Sequence, residues 1–347
     1  MKGGLNMKYN YVFFNSTDNT RKIDFDGYYT ICICDLFKLP NVQVITYPVD
    51  YANKFIRCLY SAHHTPKTNM FFELPLKKCW YPFYFKNKFK NNENICFVLS
   101  GSYITPDYVK YLKEKYPKAK FVKIYRDLLK VWLRDNPEWD NGKTEELIDL
   151  QMSFDQNEAH FNGWEYFCEF ESKIQVPKDV NYPIADVFFA GKAKDRLPKL
   201  MQIYSMLTEA GLKCEYFLTG VPKDERVVLP GITYSDKFMS YREMLYKTVN
   251  SKVVLEINQR DAIGYTSRFL EAVMFNKKLI TNNPSIKNSK FFSKNNILCI
   301  DNIDNKIVDF VKNSDIETVN YHYNNEFSPI RLIEQIDKIL IKKFGDI

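Results

Sequence analysis

Short apolar runs alternate with stretches whose apolar residues recur at helical spacing, and that rhythm predicts most of the elements. "NVQVITYP" (41–48), "ICFVLS" (95–100) and "FVKIYR" (121–126) read as short buried strands. Between the last two lies "TPDYVKYLKEKYPKAK", with Pro106 in its first turn and Val109 and Leu112 at helical spacing. Strand, helix and strand in so short a span predict a parallel crossover.

The second half repeats the pattern. "DVFFAG" (186–191) reads as a strand with a terminal Gly, "RLPKLMQIYSMLTEAG" as a helix stopped by Gly211, and "KCEYFLTG" as the next strand. "GITY" follows as a strand, then "SYREMLYKTVN" as a helix opened by a capping box, Ser240 with Glu243. "KVVLEI", "KKLIT" and "NILCI" are further strands, and strands alternating with helices predict an α/β fold with an open parallel sheet. "SPIRLIEQIDKILIKKFG" is a closing helix, with Ser328 as cap and Pro329 at its first position.

At 347 residues the chain exceeds one ordinary core, so two domains are expected. "VPKDVNYPIA" (176–185), with two prolines and no periodicity, marks the linker. That gives domains at 1–178 and 179–325, and a terminal helix, 326–347, that can pack back on the first. The abundance of Lys, Asn, Ile, Tyr and Phe fits an AT-rich genome and carries no functional reading. No run approaches the roughly 18 apolar residues of a membrane span and no signal-peptide pattern opens the chain, which predicts a cytoplasmic protein. Eight scattered cysteines without a CxxC pair predict reduced thiols. Net charge is only +7, but residues 51–130 carry 16 Lys and Arg against 5 acids, a field suited to an anionic substrate or surface.

Ligands of open parallel sheets sit beyond the carboxyl ends of the strands, where helix N-termini present N–H groups. Three loops of the second half meet that condition, of which "TGVPKDE" (219–225) is too generic to rank. In "GKAKDR" (191–196), Gly191 lets the backbone turn sharply, and Lys192, Lys194 and Arg196 surround the start of a helix. Cations there oppose the helix dipole; a phosphate or diphosphate would compensate them, and a solvated basic turn is the plainer alternative. In "NQRDAIGYTSRFLE", Gly264 permits an unusual backbone angle, Thr266 or Ser267 can start the helix, and Arg268 and Glu271 share one side. The plainer alternative is a surface ion pair between these two, under about 0.5 kcal/mol. No GxGxxG follows a strand and no GxxxxGK[ST] occurs, which argues against redox dinucleotide and P-loop chemistry.

Residues 240–283 resemble the donor-binding half of GT-B glycosyltransferases, particularly bacterial proteins that build capsular, exopolysaccharide or lipopolysaccharide chains. The resemblance rests on a helix, a strand ending at Glu256, a Gly followed by Thr-Ser-Arg, the pair Glu271 and Ala272, and "KKLIT". "DVFFAGKAKDRLPKL" looks like the first strand and loop of the same domain, and 153–167 is similar to the segment that closes the first domain. The resemblance implies two Rossmann-like domains facing across a cleft, the first holding an acceptor and the second a nucleotide-diphospho sugar, with UDP favoured over GDP. It implies that Glu271 binds the ribose, that Arg268 and the N–H groups near Thr266 and Ser267 hold the diphosphate, and that the 256–264 loop, with Glu256, Asn258, Gln259, Arg260 and Gly264, faces the sugar. Where many retaining members carry a second Glu, this chain has Ile263, so the stereochemical course stays open.

The implied reaction is glycosyl transfer to a hydroxyl of a bacterial surface glycan or its lipid-linked precursor, without a cofactor or required metal. "DFD" (24–26) reads better as a turn than as a metal site. His63 and His64, in what reads as a polar loop, and Asp35 are candidate general bases. "KKCWYPFYFKNKFK" (77–90) packs five Lys and six aromatics, which suits peripheral contact with an anionic membrane; no nucleic-acid-binding signature accompanies it. The rival reading is a non-catalytic two-domain protein that closes on a sugar or nucleotide.

Overall fold

The computed structural model describes residues 7–16, 25–49, 51–64, 74–89, 94–101, 103–139, 145–179, 181, 183–258, 264–314 and 319–345. The chain divides into two compact units, Met1–Cys168 with Ser328–Ile347, and Glu169–Phe327. Residues 169–178, assigned to the first domain by sequence, thus belong to the second unit, where the Glu171 N–H donates to Phe327 O at 2.7 Å.

The first unit is a six-stranded sheet: β1 (Asn10–Phe14), β2 (Val42–Ile45), β3 (Ile95–Leu99), β4 (Lys120–Tyr125), β5 (Leu150–Ser153) and β6 (Glu165–Tyr166), in the order β2-β1-β3-β4-β5-β6. Every pairing is parallel, which explains the unbroken apolar runs: the central strands are covered on both faces. The helices are α1 (Tyr28–Ile31), α2 (Lys54–His64), α3 (Pro106–Lys115), α4 (Leu129–Asp135) and α5 (Gln156–Asn162). Beyond the carboxyl ends of β1 and β3 the chain packs closely, since a Cβ on Gly101 would lie 2.8 Å from Asn15 O. The C-terminal helix, Pro329–Phe344, is tied to β1 by buried Asp337, which accepts from the Lys8 and Tyr9 N–H groups and, at 2.7 Å, from the Tyr11 hydroxyl.

Two expectations change here. His63 and His64 end helix α2 rather than lying in a loop; the helix buries only Tyr60, so its apolar stripe is too thin to read from sequence. Within 77–90, Trp80, Tyr84 and Phe85 are core residues, so these aromatics are not presented to a membrane surface. Lys78, Lys86 and Lys88 stay exposed. Among the described residues, no helix is long and apolar enough to cross a membrane.

The second unit holds β7 (Ala185–Lys192), β8 (Cys214–Thr219), β9 (Ile232–Ser235), β10 (Ser251–Glu256), β11 (Lys278–Thr281) and β12 (Ile297–Cys299), with α6 (Leu197–Glu209), α7 (Tyr241–Val249), α8 (Ser267–Met274) and α9 (Lys306–Lys312). The strand order is β12-β11-β10-β7-β8-β9, again all parallel. That is the doubly wound order, with progression reversing between β7 and β10. Each unit is a Rossmann-like α/β layer structure.

Lys123 is an outlier in the first core. Its side chain is fully buried in β4, its ammonium has no hydrogen-bond partner among the described residues, and it lies 4.1 Å from the Trp132 ring and 4.8 Å from that of Trp139. The rings favour the charged form. Burial opposes it and brings the pKa down to about 7 from the ordinary 10.5. Between those values the unfolded chain binds a proton that the folded chain does not, so this residue makes stability rise with pH across that window. Lys123→Met should raise stability at pH 7 by about 1–4 kcal/mol, and the gain should shrink towards pH 10. Thermal unfolding at both pH values checks this.

Candidate functional site

The switch point of the second sheet sets β7 and β10 side by side, and the loops leaving their carboxyl ends are the two basic loops singled out by sequence. Gly191 does not turn the chain: it lies inside β7, paired with Leu218, and the strand runs on to Lys192. The turn falls at Lys194, which takes a left-handed φ of 45°. Lys192 and Lys194 are exposed.

Arg196 folds back over the loop. Its Nε and Nη2 donate to Lys192 O at 3.0 and 2.6 Å, and its Nη1 donates to Ile257 O at 2.5 Å, joining the β7 loop to the first residue beyond β10. Carbonyl oxygens thus supply part of the compensation that its position at a helix start demands. Burial, and then the nearby Arg268 guanidinium, lower its pKa, while Asp195 and Glu256 act the other way. Two like charges, Arg268 close enough to lower the pKa of Arg196, at a partly buried strand edge form a place where an anion is stabilised.

Glu256 ends β10 and is buried. The hydroxyls of Thr266 and Thr281 both donate to it. Thr266 is therefore the N-cap of α8 by position only: its side chain serves Glu256 and makes no cap bond, and the first turn contains no acid. Burial raises the Glu256 carboxyl above its ordinary pKa despite these donors. Asn258 lies alongside, its N–H donating to Asn282 Oδ1 at 2.7 Å, and Gly264 O accepts from Asn283 Nδ2 at 3.0 Å. Ser267 is the first residue of α8. Gln259, Arg260 and Ile263 lie outside the described residues.

Glu271 is 0% exposed, so its pair with Arg268, Nη1 to Oε2 at 2.5 Å, is not the surface contact that its spacing also allowed. Its other oxygen accepts from the Tyr241 hydroxyl at 2.7 Å. Burial pushes its pKa up to about 7; Arg268 and Tyr241 pull it down, and burial prevails. A cavity of about 390 Å³ opens at the same edge, lined by Lys199, Gln202, Ile257, Asn282 and Asp301 among others.

The base candidates sit in the first unit. Trp80 Nε1 donates to His63 Nδ1 at 2.7 Å, which fixes the neutral ring with its proton on Nε2. His64 stacks on Tyr60 at 4.0 Å, with its Nδ1 3.0 Å from Tyr60 O. Asp35 accepts from Lys38 at 2.8 Å and from the Ser328 hydroxyl at 2.9 Å, bracing the C-terminal helix. "DFD" begins at a residue outside the described set, and among the described residues no three His, Cys, Asp or Glu side chains gather as a metal site. Sequence reasoning missed Glu171, Tyr241 and Thr281. They reach the site from segments far apart in the chain, and no local pattern marks them.

No protein-family model matches the chain, and no curated protein matches it. Solved structures do. An alpha-glucosyltransferase in complex with UDP and a 13-mer DNA containing a central A:G mismatch aligns over 96% of this chain and 99% of its own, at 12% identity and a TM-score of 0.57. Anabaena Alr3699/HepE in complex with UDP-glucose aligns over 96% and 99%, at 10% identity and a TM-score of 0.52. At such identities the likeness is one of fold: two Rossmann-like α/β units, as in these GT-B neighbours.

The raised pKa of Glu271 has a sign. Between about pH 4.5 and 7 the folded chain keeps a proton that the unfolded chain releases, so this residue makes stability fall as pH rises through that window. Gln fits the same contacts, its carbonyl accepting from Arg268 and its amide donating to Tyr241. Glu271→Gln should remove that slope, gaining on the parent by up to about 3 kcal/mol between pH 5 and pH 8. Urea unfolding at the two pH values measures it.

Proposed function

We propose that the protein transfers a sugar from a nucleotide-diphospho donor to an acceptor hydroxyl. The observation that carries this is the meeting of Arg196, Arg268 and the start of α8 at the switch point of the second sheet, beside two buried carboxylates. The fold-level likeness to structures holding UDP and UDP-glucose supports a uridine donor.

In this reading the diphosphate lies between Arg196 and Arg268 over the first turn of α8, with Lys192 and Lys194 within reach, and Glu271 accepts from the ribose hydroxyls. The bond from the sugar to the diphosphate breaks and a bond to the acceptor oxygen forms. Charge develops on the leaving diphosphate, where fixed cations and helix N–H groups stabilise it without reorganising. The acceptor proton needs a base; with the one lone-pair nitrogen of neutral His63 taken by Trp80, His64 and Asp35 are the candidates, and the true one should lose kcat on substitution while donor KM holds.

For the acceptor we favour a hydroxyl of a surface glycan or its lipid-linked precursor, reached from the cytoplasmic face, with Lys78, Lys86 and Lys88 offering contact to an anionic bilayer. A second reading, a nucleic-acid acceptor, is supported by the same basic field and by the DNA in the matching glucosyltransferase complex. Flotation with anionic vesicles and fluorescence anisotropy with duplex DNA, both at physiological salt, separate the two.

Calorimetry with UDP, GDP and the matching nucleosides tests the donor site. Glu271→Gln should weaken UDP by about 1.5–3 kcal/mol through loss of a charge-assisted hydrogen bond. Arg268→Ala should weaken UDP at least about tenfold more than uridine, since its partner is the diphosphate. Unchanged affinities in folded variants, or thermal stabilisation by free sugars and not by nucleotides, would favour a non-catalytic sugar-binding protein instead.

A further inference from the structure

The first unit has a cavity of about 530 Å³ at the amino ends of β5 and β6, within the roughly 300–1,000 Å³ of small-molecule sites. Its lining comes from separate elements: Gln151 of β5, Asn162 at the end of α5, Trp164 just ahead of β6, and Lys342 and Lys343 of the C-terminal helix. Ligands that react in an open parallel sheet take the carboxyl ends of the strands. This cavity lies at the other edge.

Its polar groups are held in place by one end and left open at the other. Gln151 Oε1 accepts from the Tyr125 hydroxyl at 3.1 Å, which fixes the amide and leaves its N–H groups to donate. Asn162 Nδ2 donates to Glu158 O at 2.8 Å, which leaves Oδ1 to accept. The Trp164 ring is stacked on Tyr125, centroids 4.7 Å and planes 11° apart, so it is a rigid plate with one face covered. The Gln151 amide nitrogen, Asn162 Oδ1 and the Trp164 indole N–H have no partner among the described residues. Charge in the lining is balanced, Asp149 and Glu165 against Lys342 and Lys343. A charged ligand would meet its own sign there as well as the opposite one.

We propose that this cavity is a saccharide site, separate from the donor site, that holds one neutral pyranose unit of a glycan without reacting it. A pyranose carries hydroxyls around its whole perimeter, each both donor and acceptor, and so can meet an amide N–H, an amide oxygen and an indole N–H arriving from different elements. Its C–H face is apolar and suits the Trp164 plate. A nucleobase keeps its polar atoms in one plane and gains most from a slot between two flat faces, whereas Tyr125 already occupies one face of the indole. The proposal goes beyond the donor-site reading and stands or falls without it, since every group it uses belongs to the first unit.

Saturation-transfer NMR on the full chain tests it, with the methyl glycosides of glucose, galactose, mannose and N-acetylglucosamine as probes and uridine and glucuronate as controls. At least one neutral glycoside should bind with a Kd of about 1–10 mM, the range open to so small a ligand, and should stay bound under saturating UDP and in Arg268→Ala. Trp164→Ala should weaken it at least about tenfold. Gln151→Glu keeps the acceptor for Tyr125 and removes the amide donor, and should weaken it at least about threefold. Circular dichroism and thermal unfolding check both variants; should Trp164→Ala fail to fold, Gln151→Glu carries the test. No binding by any neutral glycoside, binding of uridine or glucuronate in their place, displacement by UDP, or full affinity in a folded variant of either residue overturns the proposal. A chain that holds the glycoside through Trp164 but binds no nucleotide sinks the donor-site reading and leaves this site standing.

Discussion

A carboxylate taken out of water must be given donors or a proton, and the carboxyl edge of the second sheet is organised around two that are. Glu256 draws in the hydroxyls of Thr266 and Thr281, which ties the end of β10 to the start of α8 and to the end of β11. Glu271 draws in Arg268 and Tyr241, which ties α8 to itself and to the start of α7. Four helix and strand termini are thus fixed by two side chains. The cost shows in α8, whose cap hydroxyl is diverted from its own first turn, leaving that turn's dipole to be met from outside the helix.

Topology decides where this matters. Each unit is an all-parallel sheet, so all six strands present their carboxyl ends at one edge, and in the second unit the order reverses between β7 and β10. The loops after those strands cannot cover the same ground, and a crevice follows. Arg196 spans the adjacent loops by donating to carbonyls of both. Because those bonds take up part of its donor set and leave its charge intact, it braces the crevice and still contributes a positive field to it. The first unit's edge is built differently. There Gly101 lets the segments after β1 and β3 approach closely, and Tyr60 of α2 and Tyr108 of α3 add aromatic packing to the core.

What the sequence shows and what it hides follow from the range of the interactions. The central strands were legible because burial on both faces writes an apolar run, as in "ICFVLS" and "KVVLEI", and α7 because its cap is local: Ser240 does accept from the Glu243 N–H. β1 was missed although it is central to its sheet, since "YNYVFF" at the start of a chain has no preceding helix to give it rhythm. β6, two residues long, had no run to show. Gly191 misled because a strand end and a Gly together look like a turn, whereas the strand continues. At the site, the basic loops were legible by composition, but the burial of Glu271 was not. A spacing of three residues makes an Arg and a Glu neighbours on any helix; only contacts from residues 171 and 241 decide that the pair is inside the protein.

That burial bears on what kind of ligand the edge can accept. With Glu271 wholly covered and Arg268 lying on it, the two groups satisfy each other in the ligand-free chain. An anion alone would draw Arg268 away and leave a buried carboxylate short of its donor, a loss of several kcal/mol unless a proton replaced it. A neutral polyol alone would offer donors to Glu271 and find its lone pairs already shared with a guanidinium. A ligand carrying phosphate charge and hydroxyl donors a few bonds apart meets both conditions in one step, since the phosphate takes Arg268 while the hydroxyls replace it at Glu271. A nucleoside diphosphate has that pairing of groups, so under the proposed donor-site reading the contact that first reads as an inert ion pair would make the edge selective for such a ligand over either of its halves.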